Sequence, residues 1–260
     1  MSEENTYLDN DGILHCAVCK EPLERILAEP VLERTRFPRA CACQRKQMEQ
    51  LEKEMKDRQH EAQVSALRAA CFHDKSLRDM TFEHDDGKVA AMEKAKKYVD
   101  NWDMMRRENI GLLLWGGVGT GKTYMAAAIA NALIDREVLV LMTDFAVISN
   151  LSVLDAEEYM NTLASYDLLI IDDLGAERNT EFAVQNVFNV INRRWLSHKP
   201  MIITTNLTLD QMKETVKEDV SKCRIYDRIL DVCKPVLVDG ASKRTESGMK
   251  RMDLLREVFE

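Results

Sequence analysis

The segment Gly116-Gly117-Val118-Gly119-Thr120-Gly121-Lys122-Thr123 fits the pattern G-x-x-x-x-G-K-[ST] of a phosphate-binding loop. Its glycines allow the backbone to curl, so that successive N–H groups point at phosphate oxygens. A helix expected to start near Lys122 adds its positive N-terminal dipole. We expect Lys122 to reach the β- and γ-phosphates of a bound nucleotide and the Thr123 hydroxyl to bind Mg²⁺. All eight residues are therefore candidate nucleotide-binding residues.

Short apolar runs that alternate with helical patterns surround this loop. Strands are predicted over residues 110–115, 138–142, 168–171, 201–204 and 235–238. Helices are predicted over residues 90–105, 123–134, 156–164, 181–196, 209–216 and 222–232. Strands that are apolar throughout and are separated by helices are typical of a parallel sheet covered on both faces. The sequence therefore predicts an α/β domain with a five-stranded parallel sheet flanked by helices.

Two carboxylates directly follow the predicted strand Leu168-Leu169-Ile170-Ile171. A Walker B site needs a carboxylate at this point to hold Mg²⁺, and Asp172 fits that role. A second acid beside it can orient and deprotonate the attacking water. Asp173 fits this second role, although its side chain is shorter than that of the more usual glutamate. The alternative is a strand capped by two solvated acids.

Polar residues also end the strand Met201-Ile202-Ile203-Thr204. A polar side chain at this point can sense the γ-phosphate; Asn206 is the first candidate and Thr205 the second. Further along, Arg224 and Arg228 are four residues apart, which places both on one helix face. An arginine presented to a neighbour's nucleotide would stabilise transition-state charge. The alternative for the polar residue after the strand is a simple turn residue. The alternative for the two arginines is an Arg224/Asp227 pair within the helix, with the other arginine solvated.

Four of the seven cysteines cluster near the N-terminus as Cys16-Ala17-Val18-Cys19 and Cys41-Ala42-Cys43. Four thiolates are a complete tetrahedral set for structural Zn²⁺. His15 could substitute for one ligand, and an iron–sulfur cluster or free thiols are the alternatives. A closed four-cysteine site leaves no open position for catalysis. We expect the other cysteines to be ordinary buried residues: Cys71, Cys223 and Cys233.

The bulk properties exclude several classes of protein. The chain has 260 residues, 45% of them hydrophobic and 31% charged, which is typical of a globular protein with its own core. It has no run of about 18 apolar residues, so no membrane span is expected. Its acidic start does not fit a signal peptide, so we expect a cytoplasmic protein. The net charge of −8 indicates that any DNA contact is local or is supplied by a larger assembly.

Three segments are predicted along the chain: a zinc-binding module over residues 1–45, a charged connecting helix and linker over 46–75, and an ATPase domain over 76–260. Residues 1–44 show no helix or strand pattern. A charged helical pattern without Gly or Pro follows, up to about residue 70. Residues 71–87 resemble a linker.

Taken together, these motifs resemble a known family. The segments GGVGTGKT (116–123), LLIIDDLGAER (168–178), IITTN (202–206) and RIYDRIL (224–230) resemble the DnaC-like helicase-loader ATPases of the AAA+ superfamily. The IstB transposition helper ATPases are close relatives of that group. The four-cysteine module resembles the DnaC-like branch found in bacteria, phages and mobile elements.

The resemblance implies a protein that binds ATP with Mg²⁺ and contacts a hexameric replicative helicase through its N-terminal module. It implies contacts of the ATPase domain with single-stranded DNA and with neighbouring loaders, and a reduced lid. The Asp172-Asp173 pair departs from the family pattern because it lacks a glutamate, which favours slow, switch-like hydrolysis over a fast motor. The site residues implied by motif match are Lys122 and Thr123 (Walker A), Asp172 and Asp173 (Walker B), Asn206 (sensor 1), Arg228 with Arg224 nearby (arginine finger), and Arg244 (sensor 2).

Two other functions fit the same sequence. An IstB-like transposition helper would form ATP-dependent filaments on duplex DNA. A non-hydrolysing adaptor would bind nucleotide structurally and use zinc to tether its partners.

Overall fold

A computed structural model of the chain describes residues 5–31, 34–152, 159–163, 165–175, 180–218 and 220–240, together with residues 242, 245, 252 and 259. The chain divides between Ala62 and Gln63 into two compact units. The division falls inside a single helix, α1 (Ala42–Cys71). Val64, Cys71 and Phe72, which lie in the segment predicted as connecting helix and linker, are buried in the core of the second unit.

The first unit contains two antiparallel strand pairs, where the sequence was expected to be irregular. These are β1 (Thr6–Leu8) with β2 (Leu14–Cys16), and β3 (Glu24–Val31) with β4 (Arg34–Pro38). The expectation was wrong because β1 and β2 have only three residues each, and β3 and β4 do not alternate apolar with polar residues, which is the pattern by which strands are recognised. The helix that follows is exposed over most of residues 42–62, in agreement with its charged composition.

The second unit is built on five parallel strands, which confirms the predicted sheet. The spatial order is β6-β7-β8-β5-β9. The strands are β5 (Gly111–Trp115), β6 (Val140–Asp144), β7 (Leu168–Leu174), β8 (Met201–Thr205) and β9 (Cys233–Leu237). Parallel strands place all their carboxyl ends at one edge of the sheet, which is where ligands bind in open α/β folds.

Helices cover both faces of this sheet. They are α2 (Met92–Asp100), α3 (Trp102–Arg107), α4 (Lys122–Ile134), α5 (Phe145–Ser149), α6 (Glu181–Leu196), α7 (Leu209–Glu218) and α8 (Val220–Val232). Residues 159–163 are also helical, and the rest of the helix expected over 156–164 lies outside the described residues. The single helix expected over 90–105 is two helices, because Asn101 leaves helical geometry at φ −106° and ψ 24°.

The core consists of one apolar cluster on each face of the sheet. Alternate strand residues point to opposite faces, so that Leu112 and Leu114 of β5 join one cluster and Leu113 the other. Helices α2 and α4 cover the first cluster, and α5, α6 and α8 cover the second. Among the described helices, none is long and apolar enough to cross a membrane.

The segment expected to be a linker packs against α4 over its first half. Asn131 of α4 donates from Nδ2 to the carbonyls of Leu77 (2.9 Å) and Met80 (3.0 Å). The Tyr124 hydroxyl donates to the carbonyl of Thr81 (2.8 Å). Within this segment Lys75–Asp79 form a 3-10 helix, which is too short to give a periodic pattern in the sequence. The same helix α4 follows the phosphate-binding loop.

One buried arginine ties together the starts of β7 and β8. Arg194 is 2% exposed. Its guanidinium donates to the carbonyls of Tyr166 (2.8 Å), Asp167 (2.7 Å) and Pro200 (2.6 Å). Burial lowers the pKa of Arg194 to about 10. Since Asp167 and Pro200 immediately precede the two strands, this one side chain fixes both strands at the edge opposite the candidate site.

Candidate functional site

The glycine-rich segment forms a tight loop between β5 and α4, as its pattern predicts. Gly121, the residue before α4, has φ +101°, a conformation that favours glycine. A Cβ at Gly116 would lie 2.3 Å from the Val238 carbonyl oxygen, so only glycine fits there. The loop therefore stands at the carboxyl edge of the sheet, with the N-terminus of α4 behind it.

Lys122 links the loop to the end of β8. Its side chain is buried, and its Nζ donates to the carbonyls of Gly116 (3.0 Å) and Gly117 (2.6 Å). The same ammonium donates to Oδ1 of Asn206 (2.7 Å). The predicted Walker A lysine and the first candidate for sensor 1 are therefore in direct contact. The second candidate, Thr205, is fully buried and donates instead to the Leu174 carbonyl (2.8 Å).

Thr123 links the loop to the end of β7. Its hydroxyl donates to the Asp172 carboxylate at 2.9 and 3.1 Å. Burial raises the pKa of Asp172 above its ordinary value, and hydrogen bonds from Thr204 and Thr123 oppose that rise. An adjacent hydroxyl and carboxylate are the oxygen ligands that Mg²⁺ takes from a P-loop protein. The residues present therefore fit a magnesium site.

Thr204 is part of this arrangement, although the sequence motifs did not single it out. Its hydroxyl donates to Oδ1 of Asp172 and accepts the N–H of Asp173 at 2.9 Å. The available signal was a polar residue in an otherwise apolar strand, on the same face as Ile202. Asp173 itself is half-buried and has φ +58°.

The two candidate arginines lie on α8. Arg228 is half-buried: Nε donates to Oδ1 of Asn192 (2.9 Å) and Nη1 donates to the Arg224 carbonyl (3.1 Å). Its guanidinium carbon lies 4.9 Å from the ring centroid of Phe188 and 5.5 Å from that of Trp195. The Arg224 side chain is exposed. The contacts found in the described part of the chain do not join either arginine to the phosphate loop, and Arg244 lies outside that part.

The four clustered cysteines meet in the first unit. The Sγ atoms of Cys16, Cys19, Cys41 and Cys43 all lie within 4.8 Å of one another. Four sulfurs bound to one Zn²⁺ at about 2.3 Å would be about 3.8 Å apart. Cys16 and Cys41 are buried, and the other two are half-buried. The cluster therefore fits a zinc module.

The electrostatics of the cluster also favour a bound cation. The backbone N–H groups of Glu21 and Cys43 lower the pKa of the Cys19 thiol to about 6. The hydrogen bond and negative charge of Cys19 in turn raise the pKa of Cys43 to about 11. Adjacent thiolates repel one another unless a cation lies between them. His15 is no substitute ligand, because its ring nitrogens contact the Lys20 carbonyl and the Asp9 carboxylate, each at 2.9 Å.

Comparison with known proteins places these features in a family. The family of IstB-like ATP binding proteins matches residues 39–250. The chain is 33% identical over 147 residues to the replicative helicase loader DnaI of Bacillus subtilis, which is 52% of this chain and 47% of that protein. It is 30% identical over 152 residues to the replicative helicase loader DnaC of Escherichia coli, covering 55% of this chain and 58% of that protein. The chain thus spans about half the length of these relatives.

Solved structures show the same fold. A crystal structure of DnaI aligns with a TM-score of 0.56 and 22% identity, over 66% of this chain and 95% of that one. A crystal structure of the DnaC helicase loader aligns with a TM-score of 0.55 and 21% identity, over 64% of this chain and 100% of that one. With its P-loop, its parallel sheet and its match over most of the sequence, the chain belongs to the family of IstB-like ATP binding proteins.

Proposed function

We propose that this protein is an ATP-dependent replicative helicase loader, which binds and hydrolyses ATP to control the placement of a helicase on single-stranded DNA. The observation that supports the ATPase most directly is the pair of contacts Lys122–Asn206 and Thr123–Asp172, at one edge of the sheet. The homology to DnaI and DnaC supports the loader role, because both relatives are named replicative helicase loaders.

The chemistry proposed for this edge uses four side chains. Thr123 and Asp172 would hold Mg²⁺, which when bound neutralises charge on the β- and γ-phosphates. Lys122 would bind the same phosphates. The Asp173 carboxylate would accept a proton from a water molecule whose oxygen attacks the γ-phosphorus. The bond from that phosphorus to the β–γ bridging oxygen then breaks, and the products are ADP and phosphate.

The remaining candidates would act on the γ-phosphate. Asn206 would sense it as sensor 1, and Arg244 would contact it as sensor 2. Arg228, with Arg224 nearby, would stabilise transition-state charge in the site of a neighbouring copy, so that self-association is part of the proposal. An aspartate pair in place of the usual Asp-Glu makes hydrolysis slow, which suits a switch better than a motor.

The first unit would bind the hexameric helicase, and its four cysteines would hold structural Zn²⁺. A closed four-thiolate site folds a small module outright. We therefore assign the module a binding role and no catalytic one. With such partners, the protein would act in the cytoplasm.

Native mass spectrometry with the replicative helicase of the same organism tests this proposal. We expect a stable complex with ATP that is lost when residues 1–62 are deleted. Lys122→Ala tests ATP binding separately from helicase binding. The substitution removes charge-assisted hydrogen bonds to two phosphates, so it should weaken ATP binding about 100-fold. If no complex forms with either ATP or ADP, the loader proposal is contradicted.

The family match favours one second candidate, an IstB-like transposition helper, because the matching family carries that name. Such a protein would prefer duplex DNA and form ATP-dependent filaments on it. Electron microscopy with duplex and single-stranded DNA of equal length separates the two candidates. ATP binding without turnover, with helicase and DNA both present, would instead indicate a non-hydrolysing adaptor.

A further inference from the structure

Thr204 occupies a buried position beside the two aspartates near the carboxyl end of β7. Its side chain is fully buried. The single oxygen Oγ1 donates to the Asp172 carboxylate and accepts the backbone N–H of Asp173 at 2.9 Å. Only a hydroxyl can donate and accept through one atom in this way. Thr204 therefore connects the proposed magnesium ligand to the proposed general base.

The strand pairing around Thr204 is irregular. Ile171 of β7 lies opposite Ile203 of β8, and Leu174 lies opposite Thr205. Two residues of β7, Asp172 and Asp173, therefore stand opposite Thr204 alone. This is a β-bulge, which bends a strand and re-aims one side chain. The hydroxyl of Thr204 takes the place of the missing ladder contact, because it accepts the Asp173 N–H.

The bulge decides where Asp173 points. Leu169 and Ile171 face the apolar cluster under α5, α6 and α8, and strict alternation would send Asp173 to that face as well. Instead Leu174 occupies that face, and Asp173 takes φ +58° and remains half-buried. The bulge thus keeps a carboxylate out of an apolar core and leaves it at the carboxyl edge, beside Asp172.

We propose that Thr204 is a positioning residue for ATP hydrolysis, which holds Asp172 by its hydroxyl proton and fixes the bulge that aims Asp173 at the attacking water. The inference rests on the proposed ATPase function. It assigns Thr204 no contact with the nucleotide. Its removal should therefore lower kcat and leave the KM for ATP nearly unchanged.

The test compares Thr204→Val, which removes the hydroxyl at nearly constant shape, with Thr204→Ser, which keeps it. We expect Thr204→Val to lower kcat by about tenfold or more, because a small misplacement of a reacting group has effects of that size. The KM for ATP of Thr204→Val should stay within about threefold of wild type, and Thr204→Ser should have a kcat within about threefold of wild type. Thr143→Val is a matched control. Thr143 is also a buried strand threonine, and its hydroxyl accepts a hydrogen bond from the Tyr159 hydroxyl (2.8 Å).

Hydrogen exchange provides a readout that does not depend on activity. In the nucleotide-free protein, the Asp173 amide should exchange faster in Thr204→Val than in wild type, and Thr204→Ser should restore its protection. If the Thr204→Val protein does not fold, Thr204→Ala replaces it in the test, because alanine also lacks the hydroxyl and is smaller than threonine.

Two results would overturn the role of Thr204. The first is a folded Thr204→Val or Thr204→Ala protein with the kcat of wild type. The second is a Thr204→Ser protein whose kcat is as low as that of Thr204→Val. A failure of the proposed function looks different. In that case the wild-type protein binds ATP and does not hydrolyse it, even with helicase and single-stranded DNA.

Discussion

Replacing Arg228 by alanine should destabilise the second unit as well as reduce the proposed ATP hydrolysis. The guanidinium faces the rings of Phe188 and Trp195 and donates to Asn192. Two cation–π contacts at a half-exposed site contribute about 0.5–1 kcal/mol each. The hydrogen bond adds about 1 kcal/mol. Their sum is about 2–3 kcal/mol, which corresponds to a fall in melting temperature of about 4–12 °C for a unit of this size.

Thermal unfolding of the nucleotide-free protein measures this fall. Arg224→Ala is the matched control, because Arg224 lies one turn away on the same helix and its side chain is exposed. A change of at most about 0.5 kcal/mol is expected for that variant. If Arg228→Ala melts at the wild-type temperature, the ring contacts contribute nothing and the reasoning fails.

Mixing variants then isolates the action of Arg228 on a neighbouring site. A protomer with Lys122→Ala cannot use its own site, but it can still offer Arg228 to the site of an Arg228→Ala neighbour. A mixture of the two variants should therefore recover part of the hydrolysis stimulated by helicase and DNA, although each alone is inactive. Mixed oligomers that form without any recovery would exclude the arginine-finger role.

Two further outcomes follow from the metal sites. Cys16→Ser combined with Cys41→Ser should abolish stoichiometric zinc in metal analysis. Cys223→Ser, which lies outside the cluster, should leave the zinc content unchanged. An unchanged zinc content in the double variant would contradict the zinc site. Because burial raises the pKa of Asp172, its charged form is disfavoured in the folded, nucleotide-free protein relative to the unfolded chain. Asp172→Asn should therefore raise the melting temperature at pH 7, and the gain should disappear below about pH 4, where the carboxyl is neutral in both states. A variant less stable than wild type at pH 7 would refute this sign.

The sheet was predictable because four of its strands, β5 to β8, are mostly buried and read as largely apolar runs, whereas β9 includes the exposed Lys234 and Leu237. Their ends were less predictable. The strand expected over 138–142 is β6, Val140–Asp144, because Thr143 and Asp144 lack an apolar signal. Similarly, β7 continues past its carboxylates to Leu174 through the bulge. The hydrophobic pattern of a sequence indicates which residues are buried. It therefore cannot locate the end of a strand that continues through polar residues.

The candidate site was predictable where a motif fixes both residue type and spacing. Lys122, Thr123, Asp172 and Asn206 meet at one edge, as parallel strands require. Thr204 was missed because its function depends on a register shift between two strands, which no local pattern encodes. The ring contacts of Arg228 depend likewise on how α6 packs against α8.

The guanidinium of Arg194 has a mechanical consequence for the site. It holds the chain directly before β7 and β8, so these neighbouring strands are clamped at one end. At the other end, the hydroxyls of Thr204 and Thr205 on β8 reach β7, where they donate to the Asp172 carboxylate and to the Leu174 carbonyl. The base is held by several hydrogen bonds from one charged guanidinium, which are stronger than those of a neutral hydroxyl. Any displacement that accompanies nucleotide binding should therefore be larger at the loops after the strands than at the base of the sheet.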